Sequence, residues 1–300
     1  MSLEQPTEPL DKLPEDKGKS KLPYIITLIA ILVPAGAGII VAWTPYIAPL
    51  IFHPAPTPTV AMSTDTLTPG PSSPLLVQSN FGTSTDSTNA VQFGQPVRKG
   101  DLILVAITQF ERQVTNLKDN QGDGYQKIGG TFANPDEGQD YVELYYFQNV
   151  AGGSATTVTV TFSGFKDPDG GGTNVGIYEY AGLSATSPRD DADTNTSNDQ
   201  ATKTLKAGKQ LTASEGNEIC FAVGVDSGPQ DNNPYSDSIS AGQDYTLLYP
   251  ATSDQQQGDD AKSAERFYTE AALVQQGGCI PNFSIAYPST WAIVSVALKP

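Results

Sequence analysis

The apolar positions of this chain fall into two regimes. Tyr24–Trp43 (YIITLIAILVPAGAGIIVAW) is an uncharged, almost wholly apolar run of 20 residues, long enough as a helix to cross about 30 Å of hydrocarbon. It predicts one transmembrane helix. From Leu75 onward the apolar runs become short, often alternating, and bounded by Gly, Asn, Asp and Pro, the pattern of strands joined by turns. TTVTVTF (Thr156–Phe162) alternates, with Val158, Val160 and Phe162 on one face. DLILVAI (Asp101–Ile107) is apolar on both faces and reads as a central strand. YVELYYF (Tyr141–Phe147), TNVGIYEY (Thr173–Tyr180), EICFAVGV (Glu218–Val225) and WAIVSVAL (Trp291–Leu298) complete six predicted strands. YTLLY (Tyr245–Tyr249) and RFYTEAALV (Arg266–Val274) add two, and LLVQS (Leu75–Ser79) an early edge.

No stretch after Leu75 sustains a helical period. The expected fold class is therefore all-β, an antiparallel β-sandwich of the jelly-roll or immunoglobulin-like kind, with eight or more strands around one core. The expected organisation is a tail (1–23), a membrane helix (24–43), a stalk (44–74) and an extracellular sandwich (75–300).

Charge sets the orientation. Lys17, Lys19 and Lys21 crowd the N-terminal flank of the apolar run, and no Lys or Arg follows Trp43 until Arg98. By the positive-inside rule the N-terminus is cytoplasmic and the C-terminal bulk lies outside the cell membrane. Two alternatives are a signal peptide cleaved after Ala35-Gly36-Ala37 and a pilin-like leader before a filament-forming helix. Ala30, Pro34, Gly38 and Ala42 recur every four residues, a spacing that would let two such helices approach closely and form a homo-oligomer. Between Thr44 and Pro74 the chain carries eight prolines and a single charged residue, Asp65, which reads as an extended linker or stalk.

The whole chain carries 33 acids against 17 Lys plus Arg, a formal charge of -16. Residues 1–23 hold five acids and four lysines, so nearly all of the excess belongs to the exterior part. Such a surface repels phosphate backbones, which removes nucleic acid from the expected partners. The membrane and surface glycans or proteins remain.

In order along the chain, GQPVRKGDLILVAI, NLKDNQGDGYQKI, YVELYYFQNVAGGSATTVTVTFSG, GIYEYAGLSATSPRD, LTASEGNEICFAVGV and STWAIVSVALKP follow a recognisable layout. It resembles a β-sandwich module recurrent in bacterial extracellular and surface proteins. The features shared are a strand after a Gly-led turn, a D-x-x-G-[ND]-x-Y hairpin, an N-V-A-G-G turn, an E-Y-x-G-L strand end and a W-A last strand. The resemblance spans Leu75–Pro300 and implies a secreted or surface-displayed sandwich with no catalytic residues to carry over. This chain departs from it in having its own membrane anchor and longer acidic loops at Asp226–Asp237 and Ser253–Asp260.

The inventory of reactive groups is short. The single histidine, His53, falls in the stalk, so neither a histidine-assisted nucleophile nor a histidine-based zinc site can be built in the head. Glu143 and Glu179 are the best candidates for the paired carboxylates of glycoside hydrolysis, against a background of scattered surface acids, and the chain is expected not to be an enzyme. Cys220 and Cys279 are the only cysteines. Paired outside the cell, they would close a loop of about 60 residues and stabilise the fold by about 4 kcal/mol in the chain-entropy treatment. Alternatively Cys220 is a small core residue.

No cofactor is expected beyond a structural calcium. Asp191, Asp193, Asn195 and Asp199 in RDDADTNTSND have the alternating oxygen ligands that open a calcium loop, although the glycine and closing glutamate of such loops are missing. DNQGDG (Asp119–Gly124) and KDPDGGG (Lys166–Gly172) read first as turns. The sequons at Asn195 and Asn282 occur at chance frequency. For carbohydrate binding, Tyr141, Tyr145, Tyr178 and Tyr180 are the candidate platform, if they share an exposed face rather than the core.

Overall fold

A computed structural model describes residues 73–133, 140–153, 155–164, 172–198, 200–227, 239–249 and 267–300. The expected membrane helix, almost all of the stalk, Asp199, all of KDPDGGG but its last glycine and most of both acidic loops lie outside the described residues. Among the described residues no helix is long and apolar enough to cross a membrane.

Every described element is a strand. In chain order these are β1 (Leu75–Ser84), β2 (Thr88–Gln92), β3 (Leu102–Phe110), β4 (Arg112–Asp119), β5 (Gln126–Ala133), β6 (Asp140–Phe147), β7 (Thr157–Gly164) and β8 (Thr173–Ala181). There follow β9 (Arg189–Thr196), β10 (Thr202–Lys206), β11 (Glu218–Asp226), β12 (Ser240–Ala241), β13 (Thr246–Tyr249), β14 (Tyr268–Val274), β15 (Asn282–Ser289) and β16 (Trp291–Leu298). Each predicted strand is present within a few residues of its expected bounds, and β1 is an edge strand.

The architecture is richer than the single sandwich expected. One five-stranded sheet has the order β1-β8-β3-β6-β5 and a three-stranded sheet the order β2-β7-β4. Read from β9, the other five-stranded sheet runs β9-β16-β11-β14-β13, and its companion runs β10-β15-β12. Adding eight to every strand number of the first pair gives the second pair. The chain therefore contains two copies of one eight-stranded antiparallel unit in tandem, β1–β8 and β9–β16. Each unit places its first and last strands side by side and wraps the rest across two sheets, the winding of a jelly roll.

Three hydrophobic clusters define four layers. Leu102, Leu104, Val142, Leu144, Tyr178 and Tyr180 from the first five-stranded sheet pack against Phe221, Val223, Val294 and Val296 from the second. On the opposite face of β3 and β8, Ile103, Val105, Ile107, Val175 and Ile177 pack on Val91, Val158, Val160 and Phe162 of the β2-β7-β4 sheet. In the second copy, Ala222, Tyr268 and Ile293 meet Leu205, Phe283 and Ile285 of the outer sheet. The central strands of both five-stranded sheets are thus covered on both faces, which is why β3, β8, β11 and β16 are buried along nearly their whole length.

The contact between the copies is reciprocal. Phe81 on β1 stacks on Tyr249 of β13 with centroids 3.9 Å apart, and at the other edge β5 lies against β9. Each is a first strand meeting a fifth, as in an isologous dimer interface. Phe267 extends the aromatic cluster to Phe81 and Tyr249, and Tyr178 meets Phe221 edge-on at 5.1 Å. Gly176 makes room for this cluster. A Cβ there would fall 2.7 Å from the Tyr178 hydroxyl and 2.8 Å from Phe267 Cζ.

Candidate functional site

Cys220 and Cys279 are joined, with Cα atoms 6.5 Å apart. Cys220 lies within β11, and Cys279 forms an isolated bridge with Leu211 in the β10–β11 connection. The sulfurs pack against Leu211 and Ala297, and the Tyr245 hydroxyl donates to Cys220 Sγ at 3.3 Å. The bond therefore ties the central strand of the second sandwich to the segment entering β15.

The acids read as a calcium loop lie on a strand. Asp191, Asp193 and Asn195 occupy alternate positions of β9 and reach towards one neighbour, residues 206–212. Asp193 Oδ2 accepts the Gly208 amide at 2.6 Å, Asp191 Oδ2 accepts the Thr212 amide at 3.0 Å, and Asn195 Nδ2 donates to the Lys206 carbonyl at 2.9 Å. Lys209 Nζ closes on Asp191 Oδ1 at 2.7 Å. Although burial pulls the other way, the Lys209 ammonium and the Thr212 and Ala192 amides hold the Asp191 carboxyl below its ordinary value. The Asp191 and Asp193 oxygens are thus taken up by backbone amides of the neighbouring segment. Among the described residues, no group of three or more His, Cys, Asp or Glu is gathered as metal ligands.

The four tyrosines do not share a face. Tyr178 and Tyr180 point into the seam between the two sandwiches and are almost wholly buried, so they are core and cannot stack on a sugar. The Tyr178 hydroxyl shares a hydrogen bond with Thr269 Oγ1 at 2.7 Å. Tyr141 and Tyr145 occupy the opposite face of their sheet and are half-buried. Glu143 and Glu179 share that face, opposite Ile107 and Ile103 of β3 on its two sides. Strand spacing and rise put them about 16 Å apart, beyond the 5–10 Å of a glycosidase pair.

Around Glu143 the outer surface of β5 and β6 carries a partly exposed patch. Lys127 Nζ bonds Glu143 Oε1 at 2.5 Å and sits 5.7 Å from the Tyr145 ring centroid. The Tyr145 hydroxyl donates to Glu143 Oε2 at 2.6 Å. Phe132, 39% exposed, meets Tyr141 edge-on at 5.7 Å. The second sandwich treats the same face differently. Tyr268 and Glu270 on β14 are fully buried. Glu270 accepts the amides of Gly242 at 2.8 Å and Asn282 at 2.7 Å, and burial pushes its carboxyl up to about 7 despite those donors. One copy spends this face on packing and the other leaves it accessible.

Sequence reasoning missed the buried acids that open the central strands. Asp101 immediately precedes β3, and burial together with the neighbouring Glu179 pushes it up to about 7, against the opposing charge of Arg98. Glu218 begins β11, and burial pushes it likewise to about 7 with Asp190 beside it. The signal available was the similarity of GDLIL and GNEIC, which place an acid at the same point of two apolar strands. No family model matches the chain, and neither a curated protein nor a solved structure matches it.

Proposed function

We propose that the chain is a non-enzymatic, membrane-anchored cell-surface protein that displays its two fused sandwiches outside the cell for adhesion or envelope interactions. The observation that carries this reading is the Cys220–Cys279 bond, because structural disulfides persist in oxidising exteriors and are rare in reducing cytosol. The apolar run at Tyr24–Trp43, the lysines before it and the resemblance to bacterial surface modules support the same placement. Protease applied to intact cells should remove the head while an N-terminal epitope stays protected. A protected head would overturn the assignment.

A second reading, carbohydrate binding, is favoured by the patch on β5 and β6. An exposed Phe132 beside Tyr141 offers apolar ring faces of the kind that pack on sugars, and the Lys127–Glu143 pair offers polar partners for hydroxyls. A glycan array probed with the protein, with and without calcium, should show binding that Phe132→Ala abolishes. Binding unchanged in that variant, or no binding, would remove this reading and leave the first intact.

A further inference from the structure

The acids at the mouths of the two central strands form matched arrangements that neither reading of function uses. Asp101 is 7% exposed and Glu218 is 0% exposed. One oxygen of each, Asp101 Oδ2 and Glu218 Oε2, is buried with no hydrogen-bond donor. Each acid nevertheless lies within hydrogen-bonding contact of a second carboxyl group, Glu179 for Asp101 and Asp190 for Glu218. Two carboxylates in such contact repel unless one carries a proton.

The partners' hydrogen bonds decide where that proton sits. Glu179 Oε1 accepts the Arg98 amide at 2.7 Å and Oε2 accepts Gln78 Nε2 at 2.5 Å. Asp190 Oδ2 accepts the Ser214 amide at 2.7 Å, and its Oδ1 lies 3.7 Å from Lys299 Nζ. Although burial opposes them, the Ser214 donors and the Lys299 ammonium hold the Asp190 carboxyl below its ordinary value, and both Glu179 oxygens are already taken up as acceptors. Asp101 and Glu218 are then the acids that donate. The charged groups facing the first pair are Arg98 from the β2–β3 loop, with neutral Gln78 from β1. Those facing the second are Glu215 from the β10–β11 loop and Lys299 beyond β16.

We propose that Asp101–Glu179 and Glu218–Asp190 are proton-held latches, one in each sandwich, that fasten the loops entering the central strands in acidic surroundings and loosen them as the proton is lost. The loops concerned are 93–101 and 207–217. Glu179 holds the first through the Arg98 amide, and Asp190 and Glu218 hold the second through the Ser214 and Glu215 amides. The partner comes from β8 in one copy and β9 in the other, so the same arrangement is reached by different residues.

The direction with pH follows from the raised values. An acid whose folded pKa, about 7 here, exceeds its unfolded value near 4 stabilises the fold below pH 4 and loses that contribution between pH 4 and 7. The full-length protein should therefore melt at a lower temperature at pH 8 than at pH 4.5. Asp101→Asn combined with Glu218→Gln replaces each donated proton by an amide donor. The double variant should melt above the wild type at pH 8, with a smaller difference between the two pH values. A residual slope remains from Asp123, Asp140 and Glu270, all raised by burial.

Protease cleavage within 93–101 and 207–217 should accelerate about tenfold from pH 5 to pH 8 in the wild type and not in the variant, a factor that corresponds to one decade of the opening equilibrium. Should the double variant fold poorly, infrared difference spectra of the single variants give the same reading. Each should lose part of the protonated-carboxyl band that the wild type loses near pH 7. A wild type equally stable at both pH values, a variant less stable than wild type at pH 8, or an unchanged carboxyl band would overturn the proposal.

Discussion

Replacing Phe221 by Ala tests whether the two sandwiches behave as one body. The ring is fully buried, projects from β11 into the seam between the five-stranded sheets, and meets Tyr178 of the other copy edge-on at 5.1 Å. Truncating a buried Phe costs about 3–5 kcal/mol through lost transfer energy and the cavity left behind. Relaxation is poor here because β11 is hydrogen-bonded to β14 and β16 along its whole length. The lost aromatic pair contributes about 0.5–1.5 kcal/mol of that total. We expect a loss of about 4 kcal/mol, which for a domain of this size lowers Tm by about 8–16 °C. Scanning calorimetry should show one transition, shifted as a whole. Phe93→Ala, in the core between β3 and its outer sheet, should shift the same single transition. Two resolved transitions in either variant, one of them at the wild-type temperature, would refute the argument that the seam makes one cooperative unit.

Cys220→Ala and Cys279→Ala should be about equally destabilising, each by about 4 kcal/mol, since either opens the loop of sequence separation 59 in the unfolded chain. Non-reducing mass spectrometry of exported protein should recover one linked peptide pair, and two alkylated thiols would contradict it. Gly176→Ala should cost about 1–3 kcal/mol by overpacking, because its methyl would meet the Tyr178 hydroxyl and the Phe267 ring. Near-ultraviolet circular dichroism should change with it, and a wild-type spectrum and Tm would show that the cluster has slack.

The strands that could be read from the sequence are those whose side chains face two apolar layers or one. DLILVAI and WAIVSVAL became β3 and β16, and TTVTVTF supplied β7 with its valines inward. Among the strands that escaped is one held by something other than burial. RDDADTNT has the composition of a loop, yet β9 is an edge strand of the second sheet. Its other side is occupied by carboxylates that accept amides from 206–212. Asp and Asn disfavour strands because they compete for backbone hydrogen bonds, and on β9 that competition is directed at a neighbouring segment. The candidate site was legible only in part. Pattern could place Tyr145 and Tyr178 on strands but not assign one to the surface and the other to the seam, because both faces of their sheet are apolar.

A need for more than two layers, by contrast, is implied by the sequence. DLILVAI, TNVGIYEY, EICFAVGV and WAIVSVAL carry apolar residues on both faces, and a strand of that kind needs a cover on each side. A two-layer sandwich leaves the outer face of every sheet in water, so it has no place for four such strands. Because these strands are divided two and two between separate sheets, the sheets meet face to face and each is capped again from outside. Four layers is the smallest arrangement that does so. The repeat itself was hidden because topology depends on the binary pattern of faces rather than on residue identity. Gly94 and Gly208 after β2 and β10, and an acid at the start of each central run, Asp101 and Glu218, are among the few features that recur in both copies. The two copies therefore differ, one a disulfide-clamped half with a packed outer face and the other a half with an accessible one, while keeping the same order of strands.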